Sequence, residues 1–334
     1  MSVFLIFLIL FKGYEDMYCD TEVHWHISHF CNFECPYCFG GKKQKDIFRG
    51  VQDIPKIIEG FNRFGLICQI NISGGEPFLC KNFIELCQRL TEKHRICVNT
   101  NLSHKDVYRF AEVIDPHRVR YLNCSVHIDI REKLNLVDDF IEKFKFLKEK
   151  GFYAYATYVM YPPLLKRFDG DYAFFKSQGI ILRQKIFRGT FNRFNLPDSW
   201  MPRRGSRFFK RLYPNAYSPR ERKKILFYIE RSQKEGDDTQ GYEDDPGEGR
   251  MLDVGLDRFF LDGLPSLKGK LCRAGKDYVR MTPEGEVHRC HGGTHRLGNM
   301  FEEGVRLFEK PEECTFDLCR CHYLGYIYVV KEKK

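Results

Sequence analysis

From residue 22 to about residue 188 the chain alternates strand-like and helix-like stretches, and few folds accept that order. Residues 22–28, 66–73, 95–100, 119–127, 152–160 and 180–187 read as strands. Helices are expected over 53–64, with Asp53 as N-cap and Pro55 in the first turn, over 82–92, and from Ser103 to a stop at Asp115-Pro116. Residues 136–150 form a further amphipathic helix, with Phe140, Ile141, Phe144 and Leu147 on one face and Gly151 as its stop. A poorer helix separates the last two strands. Six strands alternating with helices define an α/β chain built on a parallel sheet or partial (β/α)6 barrel.

That core leaves about half of the 334 residues over, so a second unit is expected. Apolar residues at 43% and charged residues at 30% suit a packed core and exclude wholesale disorder. Residues 1–16 form an apolar extension whose run 3–11 is too short to span a bilayer. It lacks the basic start and small-residue cleavage site of a signal peptide, and reads as a short strand or a false start upstream of Met17. The core then occupies 17–190. Residues 191–250 form a basic, aromatic insertion followed by an acidic, glycine-bearing linker from Glu235 to Gly249. The 54 Lys and Arg against 45 Asp and Glu favour anionic partners, and residues 183–224 alone carry an excess larger than the chain's net +9. Residues 251–334, rich in Cys, Gly and His, form the second unit.

The 14 cysteines are too unevenly spaced for a secreted disulfide scaffold, so metal binding or chemistry is the better reading and a cytoplasmic location is expected. Cys31, Cys35 and Cys38 follow the first strand directly. Spacings of four and three let one loop offer three thiolates to one [4Fe–4S] cubane, which normally takes four. Three leave one iron open, and an open position marks a catalytic metal. The competing reading is a zinc loop completed by His24, His26 or His29, although His24 and His26 also suit ordinary packing on one strand face. Cys68, Cys80, Cys87, Cys97 and Cys124 lie among apolar neighbours and are expected to be buried, inert thiols.

The run Cys31-Asn-Phe-Glu-Cys35-Pro-Tyr-Cys38 resembles the signature of radical S-adenosylmethionine (SAM) enzymes. Gly74-Gly75-Glu76-Pro77, at the end of the second strand, resembles the GGEP element of the same superfamily. The resemblance implies that the open iron chelates the amino and carboxylate groups of SAM. It also implies reductive cleavage to methionine and a 5′-deoxyadenosyl radical, which abstracts hydrogen from a substrate. Glu76 is then expected to accept from the methionine ammonium, with Gly74 and Gly75 letting backbone approach the ligand. Asn99 and Asn101 at the third strand end and Ser125 in the fourth match positions of polar contacts to SAM. Tyr37 and Phe39 flank the last loop cysteine, where adenine contacts lie. For the asparagines, an ordinary strand-end turn is the alternative.

Five cysteines lie at the C-terminal end: Cys272, Cys290, Cys314, Cys319 and Cys321. A hairpin turning at Pro283-Glu-Gly285 would bring Cys272 and Cys290 together, and Cys314-x4-Cys319-x-Cys321 would supply the rest. Gly285 to Cys290 and Leu297-Gly298-Asn299-Met300 resemble elements of the SPASM and twitch extensions of radical SAM proteins, which implies one auxiliary [4Fe–4S] cluster. A closed zinc site, with His288, His291, His295 or His322 as substitutes, remains the alternative.

The resemblance implies a peptide or protein substrate, with small-molecule cofactor synthesis as the second possibility. It also implies a low-potential electron donor of flavodoxin or ferredoxin type, for which the basic stretch is a candidate docking surface. A nucleic-acid-binding protein using zinc modules and the basic aromatic stretch is the rival from another class, and it predicts affinity that falls steeply with salt.

Overall fold

The computed structural model describes residues 19–38, 53–192, 210–236, 261, 268–292 and 295–317. The expectations for residues 1–16, Phe39, Cys319, Cys321 and His322, and for most of the acidic linker, lie outside these residues.

Strand β1 (Thr21–Ser28) is followed by helix α1 (Ile54–Phe64), where the Asp53 side chain accepts from the Lys56 N–H as expected of an N-cap. Then come β2 (Cys68–Gly74), α2 (Phe83–Thr91), β3 (Arg95–Thr100), α3 (Asp106–Val113) and β4 (Val119–Ser125). After α4 (Ile128–Leu134) and α5 (Val137–Glu149), the core ends with β5 (Ala154–Val159), α6 (Phe168–Ser177) and β6 (Leu182–Lys185). Strands β1 to β6 pair side by side in chain order, all parallel. β6 does not pair with β1, so this is the topology of a partial (β/α)6 barrel open between its first and last strands.

One sheet face is apolar. Val23, Trp25, Ile27, Ile70, Ile72, Val98 and Leu122 are at most 1% exposed and pack in the main core. Helix residues such as Phe61, Leu86, Phe110 and Phe140 meet them there. The alternate positions face the other way and are polar: Glu22, His24 and His26 on β1, Asn71 and Ser73 on β2, Asn99 on β3, Asn123 on β4, Thr157 on β5. A parallel sheet with helices on one face and a polar inner face has the build of a barrel that holds a ligand.

Three local expectations are corrected. Ser103 does not open α3, which starts at Asp106; Leu102 sits in the left-handed region (φ 53°), and the Ser103 hydroxyl accepts from Asn32 Nδ2 at 2.8 Å instead. The fourth strand ends at Ser125 rather than His127, because His127 turns left-handed (φ 46°) into α4, a helix not foreseen. The histidines His24 and His26 do share one face, but that face is the polar one.

Within the basic stretch, β7 (Gly189–Asn192) pairs antiparallel with β8 (Lys210–Tyr213), and α7 (Pro219–Glu235) follows. α7 opens on a capping box between Ser218 and Glu221 and buries Ile225, Tyr228 and Ile229. Its cations are partly used at home: Lys224 reaches the Leu165 carbonyl (2.7 Å) and Asp169 (2.8 Å), and Arg222 reaches the Tyr217 and Pro214 carbonyls.

The C-terminal unit contributes β9 (Leu271–Cys272), β10 (Tyr278–Met281), β11 (Glu286–His288), β12 (Arg296–Asn299), β13 (Gly304–Val305) and β14 (Glu312–Glu313). The hairpin read around Gly285 (φ 85°) is β10–β11. It does not stand apart, for β10 pairs parallel with β1, so β10 to β13 extend the barrel sheet beyond its first strand. Among the described residues no helix is long and apolar enough to cross a membrane.

Candidate active site

The loop leaving β1 carries Cys31, Cys35 and Cys38, all free thiols. They lie close enough to act on one another electrostatically. Burial pushes the Cys31 thiol up to about 11 and the Cys35 thiol higher still. Two donors oppose that at Cys31: the Phe33 N–H lies 3.4 Å from its sulfur and Asn101 Nδ2 3.7 Å. Such donors favour thiolate, the form a metal binds. Cys38 is exposed. Among the described residues no three Cys, His, Asp or Glu converge as ligands of a single ion. A cubane puts each thiolate on a different iron and does not need them to converge. The donor set, its burial and its N–H partners fit three thiolates held for a cluster.

The loop is seated on the end of β2 by backbone. Gly75 N–H donates to the Ser28 carbonyl at 2.7 Å and Glu76 N–H to that of Phe30 at 2.8 Å. A Cβ on Gly74 would stand 2.3 Å from the Ser28 carbonyl oxygen, and one on Gly75 1.8 Å from that of Phe30. The close neighbour that demands glycine is the chain's own cysteine loop.

Glu76 is 1% exposed. Its Oε1 accepts from the Thr100 hydroxyl (2.7 Å) and the Phe78 N–H (3.1 Å), and Oε2 accepts from the Asn101 N–H (2.6 Å). The carboxylate thus ties the ends of β2 and β3 together and aims Asn101 at Cys31. Burial raises the Glu76 carboxyl to about 6 from the ordinary 4.5, the three donors notwithstanding. The folded chain therefore holds this proton more tightly than the unfolded one. Stability contributed here is present below pH 4.5 and is lost as pH rises through 6, about 2 kcal/mol over the window. Glu76→Gln is expected to flatten that slope in urea titrations. It also turns an amide N–H against one of the three donors, at a cost of about 1–3 kcal/mol, and weakens SAM binding. Parent-like stability and SAM affinity at every pH would contradict this role.

The other sequence candidates gather at the same strand ends. Asn101 also donates to Asn32 Oδ1 (3.1 Å), and its own Oδ1 accepts from the Ser103 N–H (2.9 Å). Asn99 accepts from Asn123 Nδ2 at 2.8 Å, and Asn123 accepts from the Thr157 hydroxyl at 2.5 Å, a polar ladder across β3, β4 and β5. Ser125 sits beside Thr157 in register, at the mouth of that ladder. Tyr37 is buried, and its hydroxyl donates to Asp129 Oδ1 at 3.1 Å and lies 3.1 Å from His127 Nδ1. Its ring stacks on His127 and tilts against Tyr161.

Sequence reasoning missed His127, Asp129 and Arg131, all contributed by the unforeseen α4 and its N-cap. The rule that functional residues sit at the C-terminal ends of parallel strands would have pointed to His127, two residues past Ser125. Arg131 is fully buried and donates to the carbonyls of Val126 (2.6 Å), Leu136 (3.3 Å) and Asn101. Its guanidinium lies 4.4 Å from the Phe140 ring centroid.

Deeper on the inner face, His24 Nδ1 lies 2.5 Å from His291 Nε2, and His24 Nε2 2.6 Å from the Ser73 hydroxyl. Burial, with each histidine and nearby cations adding to it, holds His24 well below the usual imidazole range; burial and nearby cations hold His291 at about 3. Both imidazoles are neutral at physiological pH.

In the C-terminal unit Cys272, Cys290 and Cys314 share one small cluster around Ala274 and Tyr278. The Cys272 sulfur accepts from the Ala274 N–H at 3.5 Å. Arg289 clamps the two segments, donating to the carbonyls of Ala274 (3.1 Å), Glu313 (2.8 Å) and Glu312 (2.5 Å). The thiols predicted to be inert, Cys68, Cys80, Cys87, Cys97 and Cys124, are indeed buried.

Residues 25–169, from within β1 to the start of α6, match the family model of the Radical SAM superfamily, and the cysteine loop and the Gly-Gly-Glu element both lie within the matched stretch. The chain is 29% identical over 115 residues to a GTP 3',8-cyclase of Haemophilus ducreyi, covering 32% of each chain. It is 33% identical over 113 residues to an S-adenosylmethionine-dependent nucleotide dehydratase of Fibrobacter sp., covering 32% of this chain and 30% of that one. The chain thus spans about a third of the length of the curated relatives it matches. In fold it is similar to Streptococcus suis SuiB (TM-score 0.53, 16% identity, 89% of this chain and 67% of that one). It is also similar to native anSMEcpe with bound AdoMet and Kp18Cys peptide (TM-score 0.53, 17% identity, 87% of this chain and 80% of that one).

Proposed function

We propose that this chain is a radical SAM enzyme in which Cys31, Cys35 and Cys38 hold a [4Fe–4S] cluster with one iron open to SAM. The observation that carries the reading is the seating of that three-cysteine loop on Gly74-Gly75-Glu76, with Asn101 donating to Cys31. The cluster and SAM, when bound, would supply a 5′-deoxyadenosyl radical for hydrogen abstraction. The chain's own part is to bind, orient and exclude water. Glu76 holds Asn101 in place, and Gly74, Gly75, Asn99, Asn101 and Ser125 offer polar groups along the strand ends for the methionine and ribose. Tyr37, fixed by His127 and Asp129, offers a ring face for adenine, with Phe39 beside it in sequence.

Cys272, Cys290 and Cys314, already gathered by Arg289 and the β10–β11 hairpin, are the core of an auxiliary-cluster site that Cys319 or Cys321 would complete. A low-potential donor of flavodoxin or ferredoxin type would deliver the electron.

The similarity to SuiB and to peptide-bound anSMEcpe supports a peptide substrate at the level of fold alone. A second reading, a small molecule, is favoured by the polar inner face of the sheet and by relatives named for nucleotide chemistry. The reading is tested by anaerobic reconstitution of the full chain followed by dithionite and SAM. 5′-Deoxyadenosine and methionine are expected, and their absence from iron-loaded protein would contradict it.

A further inference from the structure

Asn101 follows β3 directly, and every polar group it has is engaged. It is 4% exposed. Its backbone N–H donates to Glu76 Oε2 at 2.6 Å, and its carbonyl accepts from the Arg131 guanidinium. Its side-chain Oδ1 accepts from the Ser103 N–H at 2.9 Å, and that contact fixes which way the amide faces. Turned over, the amide would set its NH2 against the Ser103 N–H and its oxygen against Asn32 Oδ1. Nδ2 therefore faces the cysteine loop, donating to Asn32 Oδ1 at 3.1 Å and to Cys31 Sγ at 3.7 Å. Asn32 is held in turn, its own Nδ2 donating to the Ser103 hydroxyl at 2.8 Å.

The two N–H groups on Cys31 differ in origin. The Phe33 N–H, 3.4 Å from the sulfur, belongs to the loop itself and accompanies any chain folded that way. Asn101 reaches the sulfur from 70 positions away, on another strand end. A neutral thiol is a weak acceptor, so the Nδ2 hydrogen aimed at Cys31 gains a strong partner only when the sulfur is a metal-bound thiolate. Hydrogen bonds to the sulfurs of a cluster favour its more electron-rich state and are among the levers that set its reduction potential. A dipole already fixed through both its backbone and its side chain needs no reorganisation when that charge arrives. We propose that Asn101 is a positioning residue for electron transfer, its locked amide raising the reduction potential of the cluster through Cys31. This rests on the radical SAM reading above and assigns a residue to its reductive step. One electron passes from the low-potential donor to the bound cluster, with no bond made or broken. Asn101 stabilises the negative charge so added.

The test is a redox titration of the reconstituted full chain without SAM, followed by electron paramagnetic resonance. Cys272 and Cys314 are replaced by serine throughout, so that the titrated cluster is the one on the Cys31 loop. Asn101→Leu and Asn101→Ala both remove the donor, the first keeping most of the bulk. At a fixed poise Asn101→Leu should lower the ratio of reduced to oxidised cluster about tenfold, a shift of about 59 mV for one electron. Asn101→Ala should shift the midpoint in the same direction. Asn123→Leu, which removes a buried amide from the ladder across β3, β4 and β5, should leave the parent's midpoint in place. Iron content shows which variants are loaded, and Asn101→Ala carries the test if Asn101→Leu takes up no cluster. Parent-like midpoints in the loaded Asn101 variants, or an equal drop in Asn123→Leu, would overturn the proposal. So would a cluster lost from both Asn101 variants, which would make Asn101 a support of the loop. The radical SAM reading fails separately: a parent signal that does not respond to SAM would remove it, while the midpoints would still report on Asn101.

Discussion

Alanine at Cys31, Cys35 or Cys38 is expected to abolish reductive cleavage of SAM while the chain stays folded. The reason lies in the loop's geometry. The three thiols act on one another, and burial, with Glu76 beside Cys31 and Asp129 beside Cys35 adding to it, favours the protonated thiols until a metal replaces the proton. A cubane short of one thiolate loses an iron or the geometry of its open corner, and the electron has no route to the sulfonium. The folding cost is small by comparison. Phe33, Cys35 and Tyr37 do pack in the main core, but an alanine keeps the backbone of the loop, and removing a buried sulfur costs on the order of 1 kcal/mol. 5′-Deoxyadenosine formed at the parent rate by any of the three reconstituted variants would remove the assignment.

Arg131→Leu is expected to be the most damaging substitution for stability, at about 3–5 kcal/mol. The leucine would leave the buried carbonyls of Val126 and Asn101 without the donor they now share, would cost the part-buried Leu136 carbonyl one of its donors, and would remove the cation from between Phe33 and Phe140. It would also remove a positive charge that acts on buried Glu76. Arg131→Lys keeps the charge but supplies one nitrogen where three are used, so it should recover only part of the loss. Urea denaturation of the two variants measures this directly. A midpoint unchanged in Arg131→Leu would mean that the carbonyls find water or other partners, and that α4 does not hold the strand ends.

The regular part of this architecture was legible because it is written locally. The six strands of the core and the Asp53 cap follow from short-range pattern, and the cysteine loop and Gly-Gly-Glu element are contiguous motifs whose proximity follows from adjacent parallel strands. Residues that act across the chain were not legible. Nothing near Arg131 announces that it will donate to carbonyls on three segments, and Ser103 looks like a helix cap until Asn32 claims its hydroxyl. The pairing of β10 with β1 joins residues about 250 positions apart and leaves no periodic trace in either strand. The inner-face cluster was half visible: His24 and His26 were seen to share a face. That the face is the polar one became clear only from the partners, Ser73 and His291, that fold against it. Glu76 shows the same limit. Its motif marked the residue, and its three donors from β3 and the turn after β2 define its work in the fold.

The central claim is that the Cys31 loop holds a cluster with an iron open to SAM, and electron paramagnetic resonance of the reduced, reconstituted full chain tests it most directly. To isolate the loop, Cys272 and Cys314 are first replaced by serine. The account predicts about four irons per chain and a reduced [4Fe–4S] signal whose g values shift when SAM is added. A signal indifferent to SAM, or a protein that takes up zinc in place of iron at Cys31, Cys35 and Cys38, would contradict it.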